Sequence, residues 1–379
     1  MRTIQLQLPA SIITGAGVIN DLANDRNIVA SQNLLFLTAA PLESMLQPVV
    51  DTLKANHTLQ VIVYDFPGEP TFDLIRELLD QLTVQPDCVI GTGGGSVLDC
   101  AKLLAALCSR TQTPEEVVGM QLVKPRTTRL ICIPTTAGTG SEMSPNAIFL
   151  DTASQAKSAV ISKELVPDAA YLDPELTFGL PARLTAETGM DALSHCIEAY
   201  TNINAHPMID LYALEGIRLI AANLLRAVKA GDDTNARSAL LLGSMYGGIC
   251  LGPVNTAAVH ALSYGLGGKY HISHGLANAI LLPSVMEFNA PASPDRHAEV
   301  ARALGAVGST NEALIRNGIN LLRQLAIDCG IPQRLGEIGI TQDAIPELVE
   351  IAMKVTRLLN NNPRKVSAED ASAIYQQLI

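Results

Sequence analysis

The hydrophobic pattern of this 379-residue chain changes character near residue 180, and that change limits the folds open to it. Before it, short apolar runs separated by amphipathic stretches predict buried strands at residues 34–37, 61–64, 88–90 and 130–133. Residues 1–9 also alternate like a strand, and residues 43–56, 71–82 and 96–109 have helical spacing. Strands that alternate with helices predict a parallel sheet covered on both faces.

After residue 180 the pattern becomes helical almost throughout, and extended Val, Ile and Thr runs nearly disappear. Helices are predicted over residues 182–202, 208–229, 234–250, 254–267, 294–305, 311–328, 343–358 and 367–378. The length suits domains of about 100–200 residues each. We therefore expect an α/β domain over residues 1–178 and an all-helical domain over residues 179–379, joined near Asp173–Pro181.

Composition excludes several classes of protein. The chain is 48% hydrophobic and only 17% charged, which excludes a disordered protein. A net charge of -11 without a Lys/Arg-rich run argues against nucleic acid as a partner. No stretch approaches the run of about 18 apolar residues that a membrane span needs. The seven cysteines never form a Cys-x-x-Cys pair, which favours reduced thiols in a cytoplasmic protein.

A glycine-rich turn follows the predicted strand 88–90 and reads Gly91-Thr-Gly-Gly-Gly-Ser96. Glycine allows close backbone approach to a ligand, and a helix N-terminus offers unpaired N–H groups to phosphate. Ser96 is expected to cap the helix, and Asp99 to complete a capping box. An ordinary strand-to-helix turn is the alternative, since the standard dinucleotide fingerprint follows a first strand rather than a later one.

A second turn of this kind, Ile133-Pro-Thr-Thr-Ala-Gly-Thr-Gly-Ser-Glu142, follows the strand predicted at 130–133. Open α/β sheets bind ligands at the carboxyl ends of their strands. Two turns rich in glycine and hydroxyl groups at that edge together predict a nucleotide site.

Four residues of the helical half suggest a metal site. Asp191 and His195 lie four residues apart, on one face of a predicted helix, and His260 and His274 follow later. One carboxylate and three imidazoles can hold a divalent cation and leave a position for a substrate oxygen. The alternative is a plain hydrogen-bonded Asp–His pair without metal. The remaining histidines are expected at the surface (His57, His206 and His297) or are ambiguous (His271).

These motifs together resemble the iron-dependent (group III) alcohol dehydrogenase family. The resemblance covers nearly the whole chain and rests on Gly91–Lys102, Pro134–Glu142, Gly189–His195, His260, His274-Gly275 and Asn362-Pro-Arg364. It implies a Rossmann-like dinucleotide-binding domain, an all-helical domain and a cleft holding the metal, as in the dehydroquinate synthase-like architecture.

The resemblance also implies roles for individual residues. It places the metal ligands at Asp191, His195, His260 and His274, with Fe²⁺ favoured and Zn²⁺ as the alternative. It places cofactor contacts at Gly93, Gly94, Gly95 and Ser96 for the pyrophosphate, and at Thr135, Thr136, Thr139 and Lys157 near the nicotinamide and its ribose.

Two positions depart from the family pattern. Ala39 stands where many NAD-preferring members carry an Asp that binds the ribose 2′-OH and repels a 2′-phosphate. NADPH should then be tolerated, with a slight preference for it. Tyr264 stands where several members carry a histidine that is proposed to relay a proton, so either Tyr264 or His271 is the candidate here.

The expected activity is reversible hydride transfer between NAD(P)(H) and a small primary or secondary alcohol or aldehyde. The expected assembly is a homodimer or larger homo-oligomer, without membrane or nucleic-acid partners. The alternatives are a same-fold reductase of a specialised acidic carbonyl substrate, a lyase of the dehydroquinate synthase type, and a non-catalytic nucleotide-binding scaffold. The four candidate ligands argue against the scaffold, which has no chemical need for them.

Overall fold

The structure, a computed structural model, describes residues 2–66, 68–151 and 156–379. The chain divides into two compact units. One unit consists of Leu6–Thr136 and Gly140–Thr177, and the other of Met1–Gln5, Ala137–Thr139 and Phe178–Ile379. We call the first the sheet unit and the second the helical unit.

The sheet unit contains a six-stranded parallel sheet with strand order β1-β9-β6-β4-β2-β3. Its strands are β1 (Ser11–Thr14), β2 (Asn33–Ala39), β3 (Thr58–Tyr64), β4 (Cys88–Gly93), β6 (Arg129–Pro134) and β9 (Ala169–Leu172). A three-stranded sheet combines β5 (Gly119–Met120), β7 (Asn146–Asp151) and β8 (Ala156–Ile161). The helices of this unit are α1 (Arg26–Val29), α2 (Glu43–Lys54), α3 (Phe72–Asp80) and α4 (Gly95–Leu107).

The large sheet is buried on both faces, as the apolar runs predict. Successive side chains of a strand point to opposite faces, so β2 supplies two cores at once. Leu35 and Leu37 pack in the core that includes residues of α3 and α4, whereas Leu34 and Phe36 pack in the core that includes residues of α2. A strand buried on both faces must be apolar throughout, which explains its continuous hydrophobic run.

Two strand predictions need correction. The alternating residues 2–9 form no strand, and the first strand begins instead at Ser11. The antiparallel pair β7 and β8 was not anticipated, because its half-buried strands lack the continuous apolar runs of the large sheet.

The helical unit is built around ten α-helices within the described part of the chain. They are α5 (Ala182–Thr201), α6 (Pro207–Lys229), α7 (Thr234–Leu251), α8 (Ala258–Tyr270), α9 (His274–Asn289), α10 (Pro294–Ala303), α11 (Asn311–Asp328), α12 (Ile345–Lys354), α13 (Thr356–Leu359) and α14 (Ala368–Gln377). The helix predicted over 254–267 begins four residues later, at Ala258, and the one predicted over 343–358 is divided into α12 and α13. No helix in the described ranges is long and apolar enough to cross a bilayer.

Candidate active site

Helix α5 presents two of the candidate metal ligands from its buried centre. Asp191 and His195 are one turn apart, and each is at most 4% exposed. Helix α7 packs closely against this face: a Cβ at Gly247 would lie 3.2 Å from the Cβ of His195. The spacing of four residues thus brings both side chains to one face, as predicted.

The other two candidate ligands lie in the first turns of α8 and α9. His260 is the third residue of α8, and His274 is the first residue of α9. A Cβ at Gly275 would collide with the backbone carbonyl of Glu187 on α5. Glycine at this position therefore lets the start of α9 approach α5, which explains why glycine follows His274 directly.

The four side chains converge, each offering one ligand atom, with all four atoms within 4.8 Å of one another. The Nε2 atoms of the three histidines lie 3.9 Å (His195), 3.7 Å (His260) and 3.6 Å (His274) from Oδ1 of Asp191. The His195 and His260 rings are stacked, with centroids 4.7 Å apart. The cluster is buried except at His274, whose side chain is 28% exposed.

The electrostatics of the cluster favour an ionised carboxylate at Asp191 and a neutral imidazole at His195. Burial raises the pKa of Asp191, but the three histidines and the Asn278 amide outweigh it and lower this pKa to about 2. Burial lowers the pKa of His195, with Asp191 opposing the shift. A neutral imidazole and an ionised carboxylate are the forms that bind metal.

These residues fit a divalent cation by the chemistry of their donors. Three imidazole nitrogens and one carboxylate oxygen suit Fe²⁺ or Zn²⁺, and the surrounding burial excludes most water. A plain Asp–His pair would not require two further histidines from other helices to direct Nε2 at the same carboxylate oxygen.

Two further residues belong to this cluster, and the sequence interpretation missed both. The Asn278 amide donates to Oδ1 of Asp191 at 2.7 Å and lies 3.2 Å from Nε2 of both His260 and His274. Glu198 contacts Nδ1 of His260 at 2.5 Å. Helical spacing could have revealed them, because Asn278 follows His274 by four residues and Glu198 follows His195 by three.

The glycine turn of the sheet unit joins β4 to α4. Gly93 ends the strand, Gly94 precedes the helix with φ -76°, and Gly95 and Ser96 are its first two residues. The capping prediction was wrong: no described side chain caps this N-terminus, and Asp99 instead accepts from Ser141 Oγ (2.5 Å) and the Ile148 N–H (2.8 Å). The N–H groups at the start of α4 have no capping side chain, which suits a phosphate group.

Two buried hydroxyls lie near the same edge of the sheet. Thr38 of β2 and Thr92 of β4 are paired in register and are at most 2% exposed. Within the described ranges neither hydroxyl has a hydrogen-bond partner, which is costly for a buried polar group. Ala39 follows Thr38 as the last residue of β2. Unpaired hydroxyls at the carboxyl ends of neighbouring parallel strands fit a polar ligand such as a nucleotide.

The segment that follows the second turn is bonded to a buried lysine of α4. Lys102 is fully buried, and its Nζ donates to the carbonyl oxygens of Ser144 (3.0 Å) and Asn146 (2.8 Å). Asp99, one turn earlier, lies 4.0 Å from Nζ. Thr135 donates its N–H to the Gly93 carbonyl at 3.0 Å, so the two turns are bonded to each other within the sheet unit. Thr136 follows directly.

The remaining predicted residues are placed as follows. Thr139 belongs to the helical unit, and Lys157 of β8 forms an ion pair of 2.6 Å with Glu69. Tyr264 is half-buried, one turn after His260 on α8, and His271 is exposed at the end of that helix with φ 54°.

Two histidines expected at the surface are buried. His206 caps α6 by accepting from the Met208 N–H, and His297 is fully buried with its Nδ1 2.9 Å from the Ser293 carbonyl. Polar neighbours in sequence misled the prediction, because His206 precedes α6 as its cap and His297 lies on a buried face of α10.

Known protein families match both halves of the chain. "Iron-containing alcohol dehydrogenase" matches residues 9–174, and "Fe-containing alcohol dehydrogenase family, C-terminal" matches residues 185–379. The chain belongs to the iron-containing alcohol dehydrogenase family. It is therefore an enzyme of the metal-dependent, NAD(P)-linked alcohol dehydrogenase and aldehyde reductase type, and the expected family and fold class are confirmed.

Individual members of the iron-containing alcohol dehydrogenase family resemble the chain over nearly its full length. The 1,3-propanediol dehydrogenase of Klebsiella pneumoniae is 32% identical over 96% of this chain and 95% of its own. The sulfoacetaldehyde reductase of Bilophila wadsworthia is 32% identical over 96% of both chains. A crystal structure of a 1,3-propanediol oxidoreductase superimposes with a TM-score of 0.94, at 30% identity over 100% of both chains.

Proposed function

We propose that this enzyme interconverts a small primary or secondary alcohol and the corresponding carbonyl compound, using NAD(P)(H) and a divalent cation held by Asp191, His195, His260 and His274. The convergence of three imidazole Nε2 atoms on one buried carboxylate carries this proposal. The cation would supply Lewis acidity that stabilises negative charge on the substrate oxygen. Fe²⁺ is favoured by the family, and Zn²⁺ suits the same donors.

The residues of the cluster have separate tasks in this proposal. Asp191 stays ionised over the working pH range because its pKa is about 2, so it contributes a permanent negative charge. His195 and His260 are nearly inaccessible to water, which strengthens electrostatic interactions at the site. His274 is the partly exposed member and marks the side from which substrate approaches. Tyr264 and His271 are the candidates for passing the alcohol proton to solvent.

For the cofactor we propose that the glycine turn binds the pyrophosphate through Gly93, Gly94, Gly95 and Ser96, and that Thr135, Thr136, Thr139 and Lys157 lie near the nicotinamide ribose. The uncapped start of α4 and the unpaired hydroxyls of Thr38 and Thr92 support a ligand at this edge of the sheet. We further propose that the sheet unit is the dinucleotide-binding domain and that the helical unit is the metal-binding domain, with their boundary near residue 178.

We propose a slight preference for NADPH because β2 ends in Ala39, which cannot repel a 2′-phosphate. Ala39→Asp should then raise the NADPH dissociation constant at least about tenfold relative to that of NADH, since like charges in contact are costly. Fluorescence titration of both reduced cofactors measures the ratio. Ala40→Asp, one residue beyond the strand, is the matched control. An unchanged ratio in Ala39→Asp would show that residue 39 does not face the ribose.

A specialised acidic carbonyl substrate is the second candidate, because a relative of equal identity reduces sulfoacetaldehyde by name. An anionic substrate needs a positive partner, yet Lys269 of α8 is an exposed residue paired with Glu347 at 2.7 Å. We therefore favour an uncharged substrate.

The assembly we propose is a cytoplasmic homodimer or larger homo-oligomer. The described cysteines are all buried and free, which agrees with a reducing compartment.

The deciding experiment removes one ligand and measures metal and turnover together. His260→Ala should lose bound metal and NAD(P)H-dependent reduction of an aldehyde panel in parallel, while NAD(P)H binding persists. His57→Ala, a half-buried histidine of the sheet unit, is the control and should retain both. Turnover by a His260→Ala preparation that contains no metal would contradict the proposed role of the cluster.

A further inference from the structure

Glu198 is a buried carboxylate that none of the roles above includes. It lies on α5 three residues after His195 and is 4% exposed. A buried carboxylate is costly unless its oxygens are well bonded, so its partners indicate what it is for.

Each oxygen of Glu198 has one partner in the first turn of α8. Oε1 accepts from the Val259 N–H at 2.7 Å, and Oε2 lies 2.5 Å from Nδ1 of His260. The two partners are consecutive residues, so one carboxylate contacts both a backbone N–H and a side chain of the same helical turn.

The bond to Val259 replaces a missing helix cap. The first N–H groups of a helix have no partner within it, and the residue before α8, Ala257, has no side chain able to accept them. Glu198 therefore acts as a cap supplied by another helix. It ties the start of α8 to α5, which carries Asp191 and His195.

The bond to His260 determines which ring nitrogen carries the proton. An ionised carboxylate only accepts hydrogen bonds, so Nδ1 of His260 must be the donor. In the neutral ring the lone pair then belongs to Nε2, the atom 3.7 Å from Oδ1 of Asp191. The tautomer and the orientation of the ring are thus set by the same contact.

We propose that Glu198 is a positioning residue of this enzyme: it docks α8 on α5 and holds His260 as the tautomer whose Nε2 carries the lone pair that a cation binds. The inference rests on the proposed function, in which the four-residue cluster binds metal. Such outer carboxylates typically change metal affinity by about 10–100-fold when they are altered.

Glu198→Gln separates metal positioning from general stability. Glutamine has the same shape but only one acceptor, so it cannot serve the Val259 N–H and Nδ1–H together. The Zn²⁺ dissociation constant, measured on the full chain by competition with a chelator, should rise about 10–100-fold. NADH binding by fluorescence should stay within about twofold of wild type, since Glu198 belongs to the helical unit.

Asp173→Asn is the matched control, because it makes the same change at a buried carboxylate of the sheet unit. Asp173 is fully buried and accepts backbone N–H groups of Gly17, Ile19 and Glu175. It should lower the melting temperature while leaving the Zn²⁺ dissociation constant unchanged. An equal loss of Zn²⁺ affinity in Glu198→Gln and Asp173→Asn would show that the effect comes from general destabilisation, and it would overturn the proposal.

A wild-type Zn²⁺ dissociation constant in Glu198→Gln would also overturn it. If that variant does not fold, Glu198→Asp takes its place: the shorter carboxylate cannot reach both partners, and its Zn²⁺ affinity should fall several-fold. His260→Ala distinguishes the two levels of the argument. If His260→Ala binds Zn²⁺ with wild-type affinity, the proposed metal site is wrong. If the Glu198 variants bind Zn²⁺ with wild-type affinity but His260→Ala does not, only the proposed role of Glu198 is wrong.

Discussion

Glu142 is a carboxyl group of the second turn that is only 2% exposed to solvent. Burial raises its pKa to about 7, although its own backbone N–H and the nearby Lys102 act in the opposite direction. A carboxyl group that binds its proton more tightly in the folded protein than in the unfolded chain makes folding pH-dependent in the neutral range.

The sign of this dependence follows from the raised pKa. The folded state holds the Glu142 proton more tightly than the unfolded state, so this contribution to stability is complete below about pH 4.5 and is lost as the pH rises towards about 7. The free energy of unfolding of the wild type should lose up to about 3 kcal/mol in this way as the pH rises, and Glu142→Gln should lack this pH-dependent loss. As the pH is raised from 5 to 8, the melting temperature of the wild type should decrease relative to that of Glu142→Gln. The difference between the two melting temperatures is the quantity to measure. A difference that does not vary with pH would contradict the prediction.

Single residues also show where inference from neighbours in sequence fails. His297 follows Pro-Asp-Arg and looks like a surface residue, yet it is fully buried because α10 turns this side chain towards the interior of the helical unit. The seven cysteines, in contrast, are all buried, as is usual for free thiols, which pack as small hydrophobic groups.

At the scale of elements, the glycines at the end of β4 and just before α4 divide into two kinds. A Cβ at Gly91 would lie 2.5 Å from the Cβ of Ala101, and one at Gly93 would lie 2.7 Å from the Cβ of Val97. These two glycines allow α4 to pack closely on β4. A Cβ at Gly94 would meet only Thr136, at an ordinary 3.4 Å, and its φ of -76° is open to any residue. Packing therefore does not require glycine at position 94.

This difference gives a paired test of the turn. Gly94→Ala should fold normally but weaken NAD(P)H binding about tenfold, because the added methyl group lies where a phosphate oxygen needs the backbone. Gly93→Ala should instead cost about 1–3 kcal/mol of stability through overpacking. Thermal unfolding and cofactor titration of both variants distinguish the two effects. Wild-type cofactor affinity in Gly94→Ala would mean that the pyrophosphate binds elsewhere.

The capping box expected at Ser96 and Asp99 illustrates the limit of local motifs. The spacing is correct for a cap, but Asp99 bonds to Ser141 and Ile148, residues far along the chain. A capping motif predicts a bond only when no distant donor competes for the carboxylate. Here Asp99 accepts from the distant donors, so the first N–H groups of α4 have no capping side chain and can bind a ligand.

At the scale of the whole molecule, the two units differ in how much of them the sequence reveals. Strands buried on both faces leave continuous apolar runs, and long amphipathic helices leave a helical periodicity. The parallel sheet and most helices of the helical unit were therefore predicted. The order of the strands was not predicted, because β4 pairs with β2 and β6 through backbone hydrogen bonds between residues far apart in sequence. The short β1, β5 and β9 have too few residues for a pattern.

The sequence by itself determined the fold class, the family and the identities of the four residues that cluster at the candidate metal site, because periodicity, motif length and residue chemistry are properties of the chain. Only the tertiary structure decided that His260 and His274 direct Nε2 at Asp191, and that Glu198 and Asn278 complete the cluster. Those contacts join helices separated by dozens of residues. Their geometry depends on how α8 and α9 pack against α5, and no local pattern encodes that packing.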